Sequence, residues 1–303
     1  MIFGSDDRTP VYNTAIDPWR VVVHITADFP NGQNYTATGV MVGPNDVVTS
    51  AHNIFAPALG GYASNIRITP ARSGPDSPFG SSGILTAQVD PGWVSNAKIG
   101  NYEAAFDHDM ALLTLSNPLG YQTGFAGLDV LAAPLGRLVT SAGYPIQFSG
   151  AFLYRTGGTV DAVTAKSLRF TDDLDMSPGH SGSPVFGSEG DVIGLISFEI
   201  SQGSPQVNGV FRFDAADVEQ LNFWAATNDQ TGASDYIVGS DYSEYWDGFE
   251  GNDTITGMDG NDTIFGSSGD DDLNGNKGND GVIGEGGNDF VRGGQGDDFV
   301  FGE

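Results

Sequence analysis

The feature that most constrains the fold is a nine-residue repeat. Read in nines from Gly248, the sequence gives six consecutive units: GFEGNDTIT, GMDGNDTIF, GSSGDDDLN, GNKGNDGVI, GEGGNDFVR and GGQGDDFVF. Every unit has glycine at positions 1 and 4, asparagine or aspartate at position 5, aspartate at position 6 and an aliphatic residue at position 8. A fixed short period of this kind predicts a stack of turns and strands, in which neighbouring units complete each other's core.

Each unit offers one aliphatic side chain, so its stability must have a second source. Glycines at positions 1 and 4 permit positive φ, which predicts a tight turn followed by a short strand. When turns stack, the position-6 carboxylates form rows and repel one another unless a cation lies between them. Calcium prefers a shell of carboxylate and carbonyl oxygens. The predicted metal ligands are Asp253, Asp262, Asp271, Asp280, Asp289 and Asp298.

The repeat resembles the repeats-in-toxin nonapeptide family, whose pattern is G-G-x-G-x-D-x-(aliphatic)-x. The resemblance implies a parallel β-roll that holds calcium between turns two repeats apart, with pairs such as Asp253 with Asp271 and Asp262 with Asp280. Position 2 is often glycine in that family, and only Gly294 matches here, so imperfect turns are expected. The alternative is a disordered acidic linker, but a linker has no reason to keep a nine-residue phase.

Charge is distributed unevenly along the chain. Residues 229–303 carry 18 Asp and Glu against 2 Lys and Arg, whereas residues 1–228 carry 21 against 10. The net charge of −27 disfavours nucleic acids and anionic membranes as partners. The chain has no cysteine and no apolar run long enough to span a membrane. The opening MIFGSDDRTP lacks the pattern of a signal peptide, which predicts earlier removal of such a peptide or export by another route.

The part before the repeat is rich in β-type segments. Runs such as WRVVVHI, DVVTSAH, MALLTL and DVIGLISFEI recur between clusters of turn residues. One helix is predicted at 214–226, with Asp214 as N-cap and apolar spacing through Val218, Leu221 and Trp224. Many short strands and one late helix favour an all-β barrel or sandwich domain.

Composition divides the chain into three parts. Residues 1–228 form the expected β-rich domain. Residues 229–247 read as a polar linker followed by two decayed repeat units, around SDYIVGSDYSEYWD. Residues 248–303 form the expected β-roll.

Three short motifs in the first part carry the candidate chemistry. A nucleophilic serine needs a base, a group that orients the base, and N–H donors for the oxyanion. The chain has four histidines, and His52 ends the β-type run VVTSAH. His108 lies between Asp107 and Asp109, just before MALLTL, and His180 precedes Ser181 in GHSGSPVF.

These motifs resemble those of chymotrypsin-like serine proteases, in the chain order His, Asp, Ser. The resemblance is greatest to the bacterial glutamyl endopeptidase branch, through SDDRTPV, AGYP and GHSGSPVF. It implies a double β-barrel in which His52 is the base, Asp109 orients it and Ser181 is the nucleophile. The N–H groups of Gly179 and Ser181 are the implied oxyanion hole. Asp107 is the rival of Asp109, and it fits the following Ala-Leu-Leu less well.

Substrate preference is less constrained. Ser197, Phe198 and Glu199 occupy the strand that lines the substrate pocket in such proteases, and this strand lacks the histidine that binds acidic side chains in the glutamyl branch. Glu199 would repel an acidic side chain if it points inward. Asp175 lies at the offset at which trypsin-like enzymes select Lys or Arg, and a simple hydrogen-bonding role for it is the alternative.

The sequence therefore predicts a secreted serine endopeptidase that acts on proteins or peptides and carries a calcium-stabilised β-roll. The tail's resemblance implies export through a one-step secretion channel. The competing hypothesis is a calcium-dependent extracellular binding or adhesion protein whose protease-like barrel is inactive.

Overall fold

The structure is a computed structural model that describes residues 1–200, 206–229, 235–238 and 245–302. The chain forms two compact units, Met1–Val218 and Glu219–Glu303. The division lies inside the last helix, whereas the composition shift suggested a boundary after residue 228. Among the described residues, no helix is both long enough and apolar enough to cross a membrane.

The first unit contains short antiparallel strands in two large sheets. In chain order its strands are β1 Thr9–Pro10, β2 Val22–Asp28, β3 Asn34–Met41, β4 Asp46–Thr49, β5 Phe55–Ala56, β6 Gly61–Tyr62, β7 Ser64–Pro70, β8 Ile84–Val89, β9 Ala111–Leu115, β10 Leu138–Gly143, β11 Tyr154–Thr159, β12 Ala162–Val163, β13 Ser167–Phe170, β14 Pro184–Phe186, β15 Val192–Ile200 and β16 Val207–Arg212. The first sheet has the order β7-β2-β3-β4-β9-β8 and the second has the order β1-β11-β10-β14-β15-β16-β13-β12. Strands β5 and β6 form a separate hairpin.

Both large sheets curl towards closure. In the first, Ile68 and Ser82 exchange two backbone hydrogen bonds of 2.8 and 2.9 Å, which connect β7 to the segment entering β8. In the second, Leu174 N donates to Gly157 O at 3.2 Å, which connects the segment after β13 back to β11. The predicted β-type runs form these sheets because their apolar residues fill the interior: all residues of β4 and β9 are buried.

Helices occupy the connections. They are α1 Pro91–Lys98, α2 Tyr102–Ala105, α3 Gly120–Thr123 and α4 Ala215–Asp229. The predicted late helix is confirmed as α4, and Asp214 caps it as expected. Asp217 N donates to Asp214 Oδ1 at 3.1 Å, while Asp214 N donates to Asp217 Oδ2 at 2.9 Å. This reciprocal pair satisfies two backbone groups that a helix start leaves open.

The repeats form a parallel β-roll. Its strands are β17 Tyr236–Val238, β18 Tyr245–Asp247, β19 Thr254–Thr256, β20 Thr263–Ser268, β21 Asp272–Lys277, β22 Gly281–Gly286, β23 Phe290–Gln295 and β24 Phe299–Phe301. They pair in parallel as β17-β19-β21-β23 and β18-β20-β22-β24. Each strand faces the one eighteen residues further on, as Ile255 faces Leu273. The thin core is built from Ile237, Trp246, Ile255, Ile264, Leu273 and Val282.

Two features of the roll refine the sequence interpretation. The decayed units are confirmed as turns of the roll where they are described, since β17 and β18 pair in register with β19 and β20. The glycine at position 4 has positive φ, as in Gly269 at 145°. The interpretation of position 1 was wrong: Gly266 does not have positive φ, whereas its position-2 neighbour Ser267 does, at 68°. Position 1 requires glycine because a Cβ there would overlap the position-6 carboxylate.

Candidate active site and calcium-binding turns

His52 and Asp109 meet at one end of the first sheet. Strands β4 and β9 are antiparallel neighbours in which Thr49 pairs with Ala111, so the segment that follows β4 and the segment that precedes β9 lie together. His52 Nδ1 is 2.8 Å from Asp109 Oδ2, and His52 N donates to Asp109 Oδ1 at 3.0 Å. When Nδ1 carries the proton towards the carboxylate, Nε2 is left as the free acceptor.

Asp109 is fully buried and its oxygens accept from groups of the same chain. Besides the two bonds from His52, Ser197 Oγ donates to Asp109 Oδ2 at 2.5 Å. These donors offset the cost of removing a carboxylate from water. The rival Asp107 is exposed, and the neighbouring His108 lies 3.3 Å from Asp90 instead. Of the two acids, the structure brings Asp109 to His52.

Ser181 lies on the turn before β14, and hydrogen bonds from the first sheet hold this turn in place. Gly179 has φ of 98°, and a Cβ there would overlap the carbonyl oxygen of Tyr144. Thr38 Oγ1 donates to Gly179 O at 2.7 Å, and Thr38 N and Asn53 Nδ2 each donate to Ser181 O at 3.0 Å. Sequence reasoning missed Thr38 and Asn53, because neither belongs to a recognisable motif.

The backbone N–H groups of Gly179 and Ser181 have no acceptor within the described parts of the chain. Turn geometry explains this, because the intervening N–H of His180 donates to Ser177 O at 3.0 Å and closes the turn. Two adjacent, unpaired donors beside a serine hydroxyl are the arrangement that stabilises an oxyanion.

One cleft of about 710 Å³ joins these groups. His52, Ser181, Gly179, Ser197 and Glu199 all line it. No hydrogen bond connects Ser181 Oγ to His52 among the contacts of the described residues. Catalytic hydrogen bonds are often long in unliganded enzymes and shorten when substrate binds.

The predicted specificity residues fall in different places. Asp175 does not line the cleft: it is buried, and its two oxygens accept from Phe3 N at 2.7 Å and Asp7 N at 3.1 Å. The hydrogen-bonding alternative describes this geometry, and the pocket role does not. Phe198 packs against Phe106 with ring centroids 5.0 Å apart. Glu199 lines the cleft with Oε2 at 2.7 Å from the Met1 nitrogen.

Two further histidines are buried structural groups. Burial, with a smaller contribution from the nearby Arg8 guanidinium, lowers the pKa of His180 to about 3. Burial also lowers the pKa of His24 to about 4, again assisted by a neighbouring arginine, Arg72. Both imidazoles are therefore neutral at physiological pH, so neither is available there as a charged group.

The turns of the roll present carboxylates in two rows. One oxygen of each of five position-6 aspartates accepts the N–H of the aspartate eighteen residues earlier, as Asp271 Oδ1 accepts from Asp253 N at 2.8 Å. In Asp253, Asp271, Asp280 and Asp289 the second oxygen is buried and has no hydrogen-bond partner in the described residues. Burial raises the pKa of Asp253 to about 6, and that of Asp271 is also raised.

These orphaned oxygens fit a calcium ion. A Cβ on Gly248 would overlap both Asp253 Oδ2 and the carbonyl oxygen of Gly266, and a Cβ on Gly266 would overlap Asp271 Oδ2 and Gly284 O in the same way. Carboxylate and carbonyl oxygens are the ligands calcium selects. Buried oxygens without donors are costly unless a cation compensates them. The position-6 aspartates and turn carbonyls are thus the groups that would hold the ion.

Family profiles agree with this geometry. The trypsin-like peptidase domain profile matches residues 37–195, and the RTX calcium-binding nonapeptide repeat profile matches residues 247–282 and 282–303. The chain belongs to the trypsin-like peptidase domain family and carries RTX repeats, which bind calcium.

Individual relatives are bacterial proteases. A glutamyl endopeptidase of Bacillus licheniformis is 32% identical over 186 residues, which is 61% of this chain and 54% of that protein. An extracellular metalloprotease of Bacillus subtilis is 30% identical over 189 residues, 61% of this chain and 57% of that protein. The chain thus spans little more than half the length of these two relatives.

The fold is shared with a solved Glu endopeptidase. Its structure, determined in complex with MPD, superposes with a TM-score of 0.65 at 23% identity and covers 75% of this chain and 100% of its own. The predicted fold, a chymotrypsin-like all-β domain followed by a parallel β-roll, is confirmed.

Proposed function

We propose that the protein is a serine endopeptidase in which Ser181 is the nucleophile, His52 the general base and Asp109 the group that orients His52. The observation that carries the proposal is the cleft itself. It joins the His52–Asp109 pair, the hydroxyl-bearing turn and two unpaired N–H donors. Because the chain spans only about half of its named relatives, their activity supports this proposal without deciding it.

The geometry supports the following sequence of steps. Ser181 Oγ attacks the peptide carbonyl carbon while His52 Nε2 takes its proton. The N–H groups of Gly179 and Ser181 stabilise the oxyanion, and loss of one such donor costs about 3 kcal/mol. The imidazolium gives its proton to the leaving amine, which departs and leaves an acyl-enzyme. Water then attacks the ester with His52 as base again, releasing the acid and restoring Ser181.

Asp109 acts through position and charge. Its two oxygens accept hydrogen bonds from the ring and from the backbone N–H of His52. These bonds favour the tautomer in which Nδ1 carries the proton and Nε2 is free. Its burial makes the carboxylate a strong partner for the transient imidazolium. Ser197 Oγ donates a further hydrogen bond to the oxygen that His52 Nδ1 contacts.

Labelling with a fluorophosphonate tests the proposal. We expect one adduct per chain, at Ser181, and its loss in His52→Ala. His108→Ala is the matched control, because His108 pairs with Asp90 away from the cleft and its removal should leave labelling intact. Absence of an adduct in calcium-replete buffer would instead support the hypothesis of an inactive, calcium-dependent binding protein.

We further propose that the roll couples folding to export and that the protein is secreted. At submicromolar calcium the two rows of carboxylates repel and the roll stays unfolded, whereas millimolar calcium outside the cell folds it. Titration of the full chain with calcium should increase the parallel-β circular dichroism signal cooperatively. A spectrum that does not change with calcium argues against this role while leaving the protease proposal intact.

A further inference from the structure

A segment near the start of the chain lies against the turn that carries the oxyanion donors. Both oxygens of the buried Asp175 accept from this segment, at Phe3 N and Asp7 N. Residue 177 of the same turn is contacted by Arg8. The segment and the turn are more than 160 residues apart in sequence, so their association is a tertiary arrangement.

Arg8 is the most constrained side chain of this segment. Its side chain is completely buried, and its Nε and Nη2 atoms donate to the two oxygens of Asp6 at 2.9 and 2.7 Å. Gln147 Nε2 also donates to Asp6 Oδ2 at 2.8 Å, and the guanidinium lies 5.1 Å from the centroid of the Phe148 ring. A two-point arginine–carboxylate pair that is also stacked on a ring has a fixed orientation.

The remaining nitrogen of the guanidinium points at the turn. Arg8 Nη1 donates to Ser177 Oγ at 2.7 Å. Ser177 O accepts from His180 N at 3.0 Å, so Ser177 and His180 close the turn that contains Gly179. Thr38 Oγ1 holds Gly179 O from the other side at 2.7 Å. The two attachments leave the N–H groups of Gly179 and Ser181 unpaired.

We propose that Arg8 is a positioning residue for the oxyanion hole: through Ser177 it holds the 177–180 turn in the conformation that aims the N–H groups of Gly179 and Ser181 at the reacting carbonyl. The inference rests on the proposed protease function. Arg8 itself does not line the cleft, so it acts through the turn and not on the substrate.

A kinetic test separates positioning from general stability. Ser177→Ala removes the acceptor of Arg8 and leaves the Asp6–Arg8 pair, so we expect a folded enzyme with kcat lowered about 10-fold and KM nearly unchanged. Because Ser177 also lines the cleft, Arg8→Gln, which changes no residue of the cleft, must show the same direction of change. Arg8→Gln should lower kcat by about 10- to 100-fold, within the loss caused by removing one oxyanion donor. A peptide boronate binds as a tetrahedral anion. Its affinity should fall in proportion to kcat in both variants.

Controls define the outcomes. Arg20→Gln breaks an exposed ion pair with Asp17 and should leave kcat within 2-fold. Arg8→Lys keeps the charge but loses the two-point geometry, so partial rescue is expected. If Arg8→Gln does not fold, the double change Asp6→Asn with Arg8→Gln removes both charges, and Ser177→Ala alone still tests the contact.

The proposal is overturned if folded Ser177→Ala and Arg8→Gln keep kcat and boronate affinity within 2-fold of the parent. It is equally overturned if kcat falls while boronate affinity is unchanged. Failure of the parent chain to label with fluorophosphonate is a separate result, which removes the protease proposal itself.

Discussion

The two units treat buried carboxylates in opposite ways. In the first, Asp109 is fully buried, and its oxygens are occupied by the ring and backbone of His52 and the hydroxyl of Ser197. In the roll, Asp253 and Asp271 are also buried, but each keeps one oxygen without a partner in the described residues. In the first unit, side chains and backbone groups of the chain satisfy the buried carboxylate. In the roll, the unsatisfied carboxylate oxygens are available to bind an ion.

The cores differ in the same sense. The second sheet of the first unit packs a cluster that includes Val139, Leu168, Val185, Ile196 and Val210. The roll has one buried aliphatic or aromatic residue per nine-residue unit. A large core can fold without help, whereas we expect a core of that thickness to need bound calcium for its stability.

The largest expected effect belongs to the self-contained site. Asp109→Asn preserves the shape of the side chain but favours the wrong tautomer of His52, so kcat should fall on the order of 10⁴-fold. Steady-state kinetics on a peptide ester measure the loss. The calcium-dependent transition of the roll should not move, and a shift in its midpoint would mean that the two units are not independent.

Removing calcium should have the second largest effect, confined to the roll. When the free calcium concentration is about 100 times the dissociation constant of a site, binding at that site adds about 2.7 kcal/mol to the free energy of unfolding. Chelation should therefore abolish hydrogen-exchange protection in residues 245–302 while protection of β4, β9 and β15 persists. Loss of protection in both units would show that the first unit also depends on calcium.

Acid should move the two units in opposite directions. In the folded chain the pKa values of His24 and His180 are about 4 and about 3, below the ordinary histidine value of 6.5. The unfolded chain therefore binds protons more tightly than the folded chain does, and the first unit loses stability as the pH falls from about 6.5 towards 3. The pKa of Asp253 is raised to about 6 from 3.8, so the calcium-free roll gains stability as pH falls through 6. Exchange rates at pH 7, 5 and 4 report both.

A matched variant assigns the acid response of the barrel. His24→Gln removes one titrating group while keeping a polar side chain, so it should flatten the pH dependence of barrel stability without altering that of the roll. An unchanged slope would place the acid response elsewhere in the barrel.

The sequence predicted the site residues that lie in recognisable motifs beside apolar runs. It did not predict contacts between residues that are far apart in the chain. His52 and Asp109 were predictable because each lies in a short motif, next to an apolar run, that resembles a motif of chymotrypsin-like proteases. The structure shows that the two runs are the neighbouring strands β4 and β9. Asp175 was ambiguous, since its offset from Ser181 is the same whether it faces the pocket or the N–H groups of Phe3 and Asp7.

The roll was likewise predictable in part from the sequence. Its nine-residue period predicted stacking, and the resemblance to the repeats-in-toxin family implied parallel strands with aspartates paired eighteen residues apart. The structure shows both. The pattern marked glycine at position 1 without its reason, which is the close approach of the carboxylate. Sequence alone does not distinguish a glycine needed for φ from one needed for space.

The smallest expected effect lies at position 2 of the repeats. Glu285 has φ of 66°, a left-handed conformation that costs a non-glycine residue about 1–2 kcal/mol, partly offset by the entropy that glycine loses on folding. Glu285→Gly should therefore stabilise the calcium-loaded roll by about 0.5–1 kcal/mol in urea titrations followed by hydrogen exchange. Glu285→Ala, which removes the same charge but keeps a Cβ, is the control and should gain less. Equal gains from both variants would assign the effect to charge, and the roll's turns would then carry no backbone strain at this position.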